Sequence, residues 1–210
     1  SPALPNDLIR DAVTQWRKRL QDATPLSATE SFALLGDFGI PVVRSLNVGS
    51  RSEAIRAAND IGFPVALKTT NDDIQHKSDV GGVFLDLADD AAVSSAYDKL
   101  SNQLGPDVLV SAMVPKGCEL AFGLVHDDLF GPLAMIAAGG VFIEQFRDVV
   151  FAVPPFDTTT ARHLIDSLSI RPILDGVRGA DPVDIAALSQ AFSNFSHLVA
   201  LLGDVLQELD

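Results

Sequence analysis

Apolar residues recur every three or four positions over several stretches of this chain, and that spacing predicts amphipathic helices. Capping signals mark two of the helix starts, because Ser27 is followed by Glu30, and Ser50 by Glu53, in the capping-box spacing. Asp181, followed by a proline, is the predicted N-cap of the last helix. The predicted helices cover about residues 7–22, 28–36, 51–61, 90–104, 158–169 and 182–206.

Shorter apolar runs, bounded by glycine, proline or polar turns, predict β-strands. They are Gly39–Val43, Phe63–Lys68, Val83–Leu87, Val108–Val114, Glu119–Val125 and Leu133–Ile136. The last three are separated only by turn residues, so we expect them to be adjacent antiparallel strands. Mixed helices and strands come first, a strand-rich stretch follows, and helices end the chain. This order favours an α+β fold with two lobes over a regular βαβ repeat.

The composition permits a substantial core and limits the classes of partner. The chain has 210 residues, 47% of them hydrophobic, and a formal net charge of -13. Such an excess of acidic groups disfavours binding to nucleic acid or to an anionic membrane surface. The sequence shows neither a signal-peptide layout nor an apolar run of the roughly eighteen residues that a membrane span needs. We therefore expect a cytoplasmic protein.

Cysteine and histidine give no sign of a disulfide framework or a zinc site. The single cysteine, Cys118, can form no intrachain disulfide, and we expect it to pack as a small apolar residue. The four histidines and this cysteine lack the paired spacing of zinc ligands.

The stretch from Lys68 to Val83 carries the residues best suited to phosphate chemistry. Lys68 closes an apolar strand, where its ammonium can meet phosphate or can simply extend from a sheet edge into solvent. Gly81 and Gly82 can expose successive backbone amides to an anion, or form an ordinary hairpin turn. His76 lies in the polar connection, where an imidazole can accept a phosphoryl group, although most surface histidines are inert.

Carboxylates in the second half of the chain form a further candidate group. Glu119, Glu144 and Asp148 accompany the strand-rich stretch and the Gly139–Gly140 pair. Carboxylates there can hold magnesium or nucleotide hydroxyls, and they can equally be solvated strand residues. Arg178, followed by a glycine, can bind an anion or cap a helix end.

Together these segments resemble the ATP-grasp domain of NDP-forming acyl-CoA synthetases, the ADP-forming acetyl-CoA synthetase type that is related to the succinyl-CoA synthetase β subunit. The resemblance covers about residues 27–210. Its most specific segments are Gly39–Val42, Gly62–Lys68, His76–Val83, Phe130–Pro132, Gly139–Val141 with Glu144, and Arg178–Gly179.

The resemblance implies an ATP-grasp fold, in which two α+β lobes hold the nucleotide between them. Residues 1–26 would form an N-terminal helical extension. Residues 27–107 would form the first lobe and residues 108–210 the second, with the second lobe truncated at its C-terminus. The strand that links the two lobes would act as the hinge.

The resemblance also assigns roles to individual residues. Backbone groups of Ser111, Met113 and Val114 would face adenine, and Glu119 would face the nucleotide from the next strand. Lys68 would contact phosphate oxygens, and Gly81, Gly82 and Val83 would cover them. The cofactors implied are ATP or ADP with Mg²⁺, for which Glu144 and Asp210 are the candidate ligands.

The activity implied is the reversible conversion of a carboxylic acid, CoA and ATP into acyl-CoA, ADP and phosphate through a phosphohistidine. His76 matches the histidine that carries the phosphoryl group. No CoA-ligase portion is recognisable in this sequence, so the resemblance implies a CoA-binding subunit or a fused domain as partner, with acyl-CoA and carboxylic acid as substrates.

Two departures from the family pattern leave other functions open. Residues 137–140 read Ala-Ala-Gly-Gly where the family commonly has a Gly-Leu-Gly-Gly type turn, and the sequence stops at Asp210, before the family's Asp-Ile-Asn-Pro type tail. One alternative is a regulatory ATP-grasp-like module of a protein acetyltransferase, which senses ligand without phosphoryl transfer. Another is a carboxylate-amine ligase, which has no need of His76.

Overall fold

The computed structural model describes residues 6–22, 24–71, 74, 77, 79–139, 148–176 and 181–209. Seven helices and seven strands occur within these residues. In chain order they are α1 (Asn6–Leu20), α2 (Ala28–Asp37), β1 (Ser45–Val48), α3 (Arg51–Ile61), β2 (Val65–Thr69), β3 (Val83–Leu87), α4 (Asp90–Leu104), β4 (Val108–Ala112), β5 (Leu120–Asp127), β6 (Gly131–Ala138), β7 (Val149–Ala152), α5 (Thr158–Asp166), α6 (Arg171–Leu174) and α7 (Ile185–Leu202).

The chain divides into two compact units, which are described separately. The Lys68 unit comprises Leu26–Phe32 and Val42–Pro115. The Glu119 unit comprises Ser1–Pro25, Ala33–Pro41 and Lys116–Asp210.

The Lys68 unit contains a four-stranded antiparallel sheet in the order β1-β4-β2-β3. Helices α3 and α4 begin at side-chain caps, with Ser50 accepting a hydrogen bond from the Glu53 amide and Asp89 from the Ala92 amide. Both helices pack on one face of the sheet. The shared core is apolar and includes Ala54, Ala58, Val65, Leu67, Val93, Leu100, Val108 and Val110.

Because side chains alternate along a strand, the residues between these core positions share the opposite face of the sheet. In β2 that face carries Ala66 and Lys68, and in β4 it carries Leu109 and Ser111. The face turned away from α3 and α4 therefore presents the only lysine of β2.

The Glu119 unit contains an antiparallel sheet in the order β5-β6-β7. Helix α7 packs on one face of this sheet through an aromatic cluster. The centre of the Phe122 ring lies 5.0 Å from the centre of the Phe192 ring and 5.5 Å from that of the Phe195 ring. Offset and tilted ring pairs of this kind stabilise a core beyond simple burial.

Helix α1 is an integral part of the Glu119 unit. Trp16 is 5% exposed, and its Nε1 donates a 2.8 Å hydrogen bond to Asp37. Arg17 donates to both carboxylate oxygens of Asp204 and to the Leu201 carbonyl oxygen. The burial of Trp16 and the hydrogen bonds made by Trp16 and Arg17 therefore hold the same turn of α1 against the rest of the unit.

Among the described residues, α7 is the one helix whose length and composition would suit a membrane span, with a mean hydropathy of 1.3. Half of that stretch is buried inside the protein. The core helix of a globular domain has the same properties, and the Phe122 contacts account for the apolar face of α7.

Several sequence predictions differ from the observed elements. The predicted strand at Gly39–Val43 is not formed, since Gly39 has φ +71° and its amide donates to Gly36 at the end of α2, while Pro41 has no amide to offer a sheet. The strand is instead β1, which has only four residues, Ser-Leu-Asn-Val, and only one of them, Val48, is buried. The last helix is capped by Asp184 rather than Asp181 and ends at Leu202.

The boundary between the units also differs from the expected division after Asp107. Strand β4 pairs with both β1 and β2, so it belongs to the same sheet as Lys68, and the division falls after Pro115. For the same reason β4 is not adjacent to β5, whereas β5 and β6 pair as expected. The expected separation of residues 1–26 as an extension is also not observed, because α1 packs within the Glu119 unit.

Candidate functional site

Lys68 occupies an exposed position on the face of the sheet that α3 and α4 leave uncovered. Its cross-strand partners are Leu109 in β4 and Val83 in β3, so the register brings two predicted site residues, Lys68 and Val83, side by side. In the part of the chain that the structure describes, Lys68 forms no ion pair with a carboxylate. Its charge is therefore available to an external anion.

The connection that contains His76 leaves and re-enters the sheet beside Lys68. At its base the Thr69 amide donates a 2.9 Å hydrogen bond to the Gly82 carbonyl oxygen. Thr70 donates to the Asp107 carbonyl oxygen from its amide at 3.1 Å and from its hydroxyl at 3.0 Å. Both ends of the connection are thus held where β2 ends and β3 and β4 begin. His76 itself lies outside the described residues.

Gly82 is packed too closely to be a freely exposed anion-binding residue. Its amide donates a 2.7 Å hydrogen bond to the Lys77 carbonyl oxygen. A Cβ at this position would lie 2.7 Å from that oxygen and 3.0 Å from Thr69 Cγ2. The expectation of two successive free amides is therefore wrong for Gly82 in this structure. Gly81, at φ +71° with open space around it, keeps an amide that has no partner among the described residues.

The expectation that Ser111 presents backbone groups to adenine is likewise not supported. Ser111 lies in β4 opposite both Ser45 and Ala66, inside a strand flanked on both edges, and its hydroxyl is 2.8 Å from that of Ser45. A strand with a neighbour on each side uses its backbone amides and carbonyls in hydrogen bonds to those neighbours. The Ser111 backbone is consequently committed to its neighbours.

The pairing of β4 ends at the next predicted adenine contact. The Met113 amide donates to the Pro64 carbonyl oxygen at 3.3 Å, but the Pro64 nitrogen has no hydrogen to return to Met113. Val114 follows, 68% exposed and beyond the last pair of the ladder. Of the three residues predicted to contact adenine, Val114 and the carbonyl group of Met113 have no hydrogen-bond partner within the described sheet.

Glu119 belongs to the other unit, at the start of β5. Its carbonyl oxygen accepts a 2.7 Å hydrogen bond from the Gly139 amide, which continues the β5-β6 register beyond the ends of both strands. Alternation puts the Glu119 side chain on the face opposite the α7 contacts.

That opposite face is mostly apolar and partly exposed. It includes Ala121, Met135, Ala137, Val149 and Phe151, and Phe151 is 48% exposed. The sequence analysis missed this surface because it did not predict β7. The alternation of Val149 and Phe151 was the available signal.

The acidic candidates fall into two groups. Both carboxylate oxygens of Asp148 accept backbone hydrogen bonds, from the Ser169 amide at 2.8 Å and the Ile170 amide at 2.9 Å. Asp148 is therefore a structural residue that joins β7 to α6. Glu144 and Asp210, the predicted magnesium ligands, lie outside the described residues, as does Arg178. Within the described ranges no three histidine, cysteine or acidic side chains gather as metal ligands would.

A polar cavity lies in the Lys68 unit next to the base of the connection. Its volume is about 550 Å³, and Asn47, Thr70, Lys77 and Asp107 are among the residues that line it. Lys77 therefore places a second cation close to the strand ends that hold Thr70 and Asp107.

The surroundings of Cys118 and His126 indicate structural roles for both residues. Burial, followed by the nearby charge of Glu119, raises the pKa of the Cys118 thiol, which keeps it protonated and weakly nucleophilic. The His126 ring lies 2.9 Å from the Leu206 carbonyl oxygen and joins β5 to the end of the chain.

Comparison with known proteins identifies the family to which this architecture belongs. Residues 18–210 match the family model of the ATP-grasp domain. The chain is 32% identical to the acetate–CoA ligase [ADP-forming] I subunit beta of Pyrococcus furiosus, over 95% of this chain and 91% of that subunit. It is 36% identical to the 4-hydroxybutyrate–CoA ligase [ADP-forming] of Nitrosopumilus maritimus, over 86% of this chain but only 27% of that protein.

Solved structures agree with this assignment. The acetyl-coenzyme A synthetase 1 of Ca. Korarchaeum cryptofilum, in complex with coenzyme A, Ca-AMPCP and HgCl+, is 34% identical with a TM-score of 0.80, over 88% of this chain and 85% of that one. A second structure of this synthetase holds coenzyme A and Mg-AMPPCP, with its phosphohistidine segment pointing towards the nucleotide-binding site. Its TM-score is 0.76 at 34% identity, over 90% of this chain and 84% of that one.

The α+β class and the ATP-grasp fold expected from the sequence are therefore confirmed. The chain belongs to the ATP-grasp family and matches the domain found in the beta subunit of ADP-forming acetyl-CoA synthetases.

Proposed function

We propose that this chain is the nucleotide-binding and phosphoryl-transferring part of an ADP-forming acyl-CoA synthetase. The complete reaction converts a carboxylic acid, CoA and ATP into acyl-CoA, ADP and phosphate. The chain spans most of a beta subunit but about a quarter of a single-chain ligase such as the 4-hydroxybutyrate enzyme. The rest of the reaction is accordingly assigned to a CoA-binding subunit or fused domain.

The observation that carries this proposal is the position of Lys68 at the base of the His76 connection. Lys68 is exposed and unpaired within the described residues, and the hydrogen bond from Thr69 to Gly82 closes the connection immediately beside it. A cation that binds the phosphates of ATP would thus lie next to the segment that carries the phosphoryl acceptor. Proximity of this kind is the main protein contribution to phosphoryl transfer.

We propose that several described residues contribute to a site for a nucleoside triphosphate. Lys68 supplies a cation, the Gly81 amide supplies a donor for a phosphate oxygen, and Val114 with the Met113 carbonyl supplies backbone groups for a base. We assign the covering role to Gly81 and Val83, and we keep Glu119 as a nucleotide contact from its own unit. Mg²⁺ would screen the phosphate charges, and Glu144 and Asp210 remain its proposed ligands.

The transfer step replaces one phosphorus–oxygen bond of ATP with one phosphorus–nitrogen bond to His76. A neutral imidazole nitrogen of His76 donates its lone pair to the γ-phosphorus, and the bond between that phosphorus and the β,γ-bridging oxygen breaks. The bridging oxygen keeps the electron pair, so ADP leaves as the second product. The phosphohistidine then passes its phosphoryl group to the acceptor in the CoA-ligase portion, and His76 returns to its neutral form.

A labelling experiment tests the proposal. The complete protein is incubated with ATP labelled at the γ-phosphate and Mg²⁺, and the chain is examined for phosphate that is labile in acid and stable in base. We expect one such label at His76, absent in His76→Asn. His197→Asn is the matched control, because His197 is exposed on α7, and it should label like the wild type. An unlabelled wild type, or equal labelling of His76→Asn, contradicts the proposal.

The same experiment separates the other ATP-grasp functions. A regulatory module would bind ATP and transfer nothing, whereas a carboxylate-amine ligase would form no phosphohistidine and would be indifferent to His76→Asn. A cytoplasmic location, as predicted from the sequence, is consistent with a synthetase that uses ATP and CoA.

A further inference from the structure

We propose that the tip of the β5-β6 hairpin, formed by Leu129 and Phe130, is a docking surface for the CoA-binding subunit or fused domain, here called the CoA-binding portion. This inference rests on the proposed function, which assigns the CoA and carboxylic acid steps to that portion. In the single-chain 4-hydroxybutyrate ligase the matched part is 27% of the protein, so other domains make up most of such an enzyme. The proposal also gives a role to Phe130, which begins a segment that the proposed nucleotide site leaves without one.

The first support is the exposure of the two side chains. Leu129 is 88% exposed, the highest value among the large apolar residues that the structure describes, and Phe130 is 66% exposed. Most of their apolar surface is therefore not used in the core of their own unit. Aromatic residues are enriched in protein interfaces, and two adjacent large apolar side chains suit the centre of one.

The second support is the fixed shape of the tip. Oδ1 of Asp127 accepts hydrogen bonds from the Leu129 amide at 2.9 Å and from the Phe130 amide at 3.0 Å. The ladder between β5 and β6 is paired as far as Asp127 and Gly131, and Gly131 has φ +73°, a conformation that favours glycine. A partner therefore meets two side chains on an ordered backbone, which lowers the entropic cost of binding.

The third support is the position of the tip within the Glu119 unit. Strand β5 runs from Leu120 to Asp127, and at about 3.4 Å per residue its two ends lie about 24 Å apart. Glu119, the proposed nucleotide contact of this unit, directly precedes Leu120 and so lies at the far end of the strand from Leu129. A nucleotide in contact with Glu119 would therefore leave the tip uncovered.

The fourth support is the charge beside the exposed pair, because it discriminates between possible occupants. Asp127 and Asp128 directly precede Leu129, and the amide hydrogen bonds lower the pKa of Asp127, so that its carboxylate is ionised at neutral pH. A second copy of this chain, with a formal net charge of -13, would bring acidic groups against acidic groups, and an anionic membrane would repel them as well. An apolar pocket bordered by lysine or arginine complements the tip, and we assign that pocket to the CoA-binding portion.

Photo-cross-linking in the complete synthetase identifies what covers the tip. Leu129 is replaced by a photoreactive benzophenone amino acid, and mass spectrometry locates the residue to which it becomes joined. We expect a cross-link to the CoA-binding portion. The matched control carries the same amino acid in place of Leu85, which is 56% exposed on β3 in the Lys68 unit, and it should give a much lower yield of that product.

Three results of this experiment would overturn the proposal: no cross-link from Leu129, a cross-link only to a second copy of this chain, or equal yields from Leu129 and Leu85. The outcome is independent of phosphoryl transfer. A wild type that does not label at His76 rejects the proposed function, whereas normal labelling with an uncovered tip rejects the docking surface alone.

Hydroxyl-radical footprinting of the wild-type synthetase gives a second measurement that does not depend on the folding of a variant. If nothing covers the tip, Leu129 should be oxidised faster than Leu85, since their exposed fractions are 88% and 56%. We expect the reverse order in the complete synthetase, with Leu129 oxidised several times more slowly than Leu85. Oxidation of Leu129 at the rate of Leu85 or faster contradicts the proposal.

Discussion

The amide of Gly139 donates a 2.7 Å hydrogen bond to the carbonyl oxygen of Glu119, and a Cβ on Gly139 would lie 2.7 Å from the Glu119 carbonyl carbon. The obstructing atoms are all backbone, so Gly139→Ala must push β5 and β6 apart. Overpacking of this kind costs about 1–3 kcal/mol in the free energy of unfolding. Urea denaturation measures it, with Gly117→Ala as the control that should stay within about 0.5 kcal/mol of wild type. Equal stability of the two variants would contradict the close approach.

Lys68→Gln should weaken ATP binding without affecting the fold. Lys68 is exposed and makes no ion pair with another described residue, so its removal leaves no buried group without a partner. A hydrogen bond to a charged group contributes about 1.5–3 kcal/mol, so we expect a loss of roughly tenfold or more in affinity. Isothermal titration with a non-hydrolysable ATP analogue measures the change.

Lys99→Gln is the matched control for Lys68. The Lys99 ammonium lies 5.7 Å from the centre of the Phe84 ring, and Lys99 belongs to α4, on the covered side of the sheet. Its replacement should leave nucleotide affinity unchanged. Equal losses in the two variants would indicate a general effect of charge instead of a contact with phosphate.

The strands that were predicted correctly are those whose sequence carried a strong local pattern. Val65–Thr69 and Val83–Leu87 are mostly apolar, and a proline and a glycine directly precede them, so both strands were expected within about two residues of their observed positions. The sheet to which Val108–Ala112 belongs was not predictable in this way. Its run of buried residues fits either unit, and only the pairing with β1 and β2 decides it.

The residue types at the candidate site could be predicted from the sequence, but their hydrogen-bond contacts could be predicted less well. Lys68 is exposed at the strand position expected, but a Gly-Gly pair reads the same whether its amides are free or engaged. The Gly82 contact to Lys77 depends on how the connection folds back, which no local pattern specifies. The exposed apolar face around Phe151 was missed because β7 has only four residues.

Trp16→Ala should destabilise the protein even though residues 1–26 were expected to form a separate extension. Trp16, the chain's single tryptophan, is 5% exposed and bonded to Asp37. Truncation of a buried tryptophan costs about 3–5 kcal/mol. Denaturation followed by far-ultraviolet circular dichroism measures the loss, with exposed Gln15→Ala on the same helix as control. A loss below 1 kcal/mol would mean that α1 is not part of the core of its unit.

Asp127 should make a contribution to stability that disappears in acid. Hydrogen bonds from the amides of Phe130 and Leu129 hold the pKa of Asp127 below the ordinary aspartate value of 3.8. A lowered folded pKa gives stability that is fully present above the unfolded value and is lost as the pH falls through the folded value. The difference in unfolding free energy between wild type and Asp127→Ala should therefore be constant from pH 6 to 8 and shrink below about pH 4. A difference that grows in acid would contradict this assignment.

The hydrogen bond between Thr69 and Gly82 also limits how far His76 can lie from the sheet. It closes a loop of twelve residues, 70–81, and His76 is six positions before Gly82. An extended chain covers at most about 3.6 Å per residue, so even with the hydrogen bond between Gly82 and Lys77 opened, the His76 Cα can lie no farther than about 22 Å from the Gly82 Cα. Any group that exchanges a phosphoryl with His76 must come within that radius. If His76 carries the phosphoryl group as proposed, the length of this loop limits how far from the sheet its partner group in a CoA-ligase portion can lie.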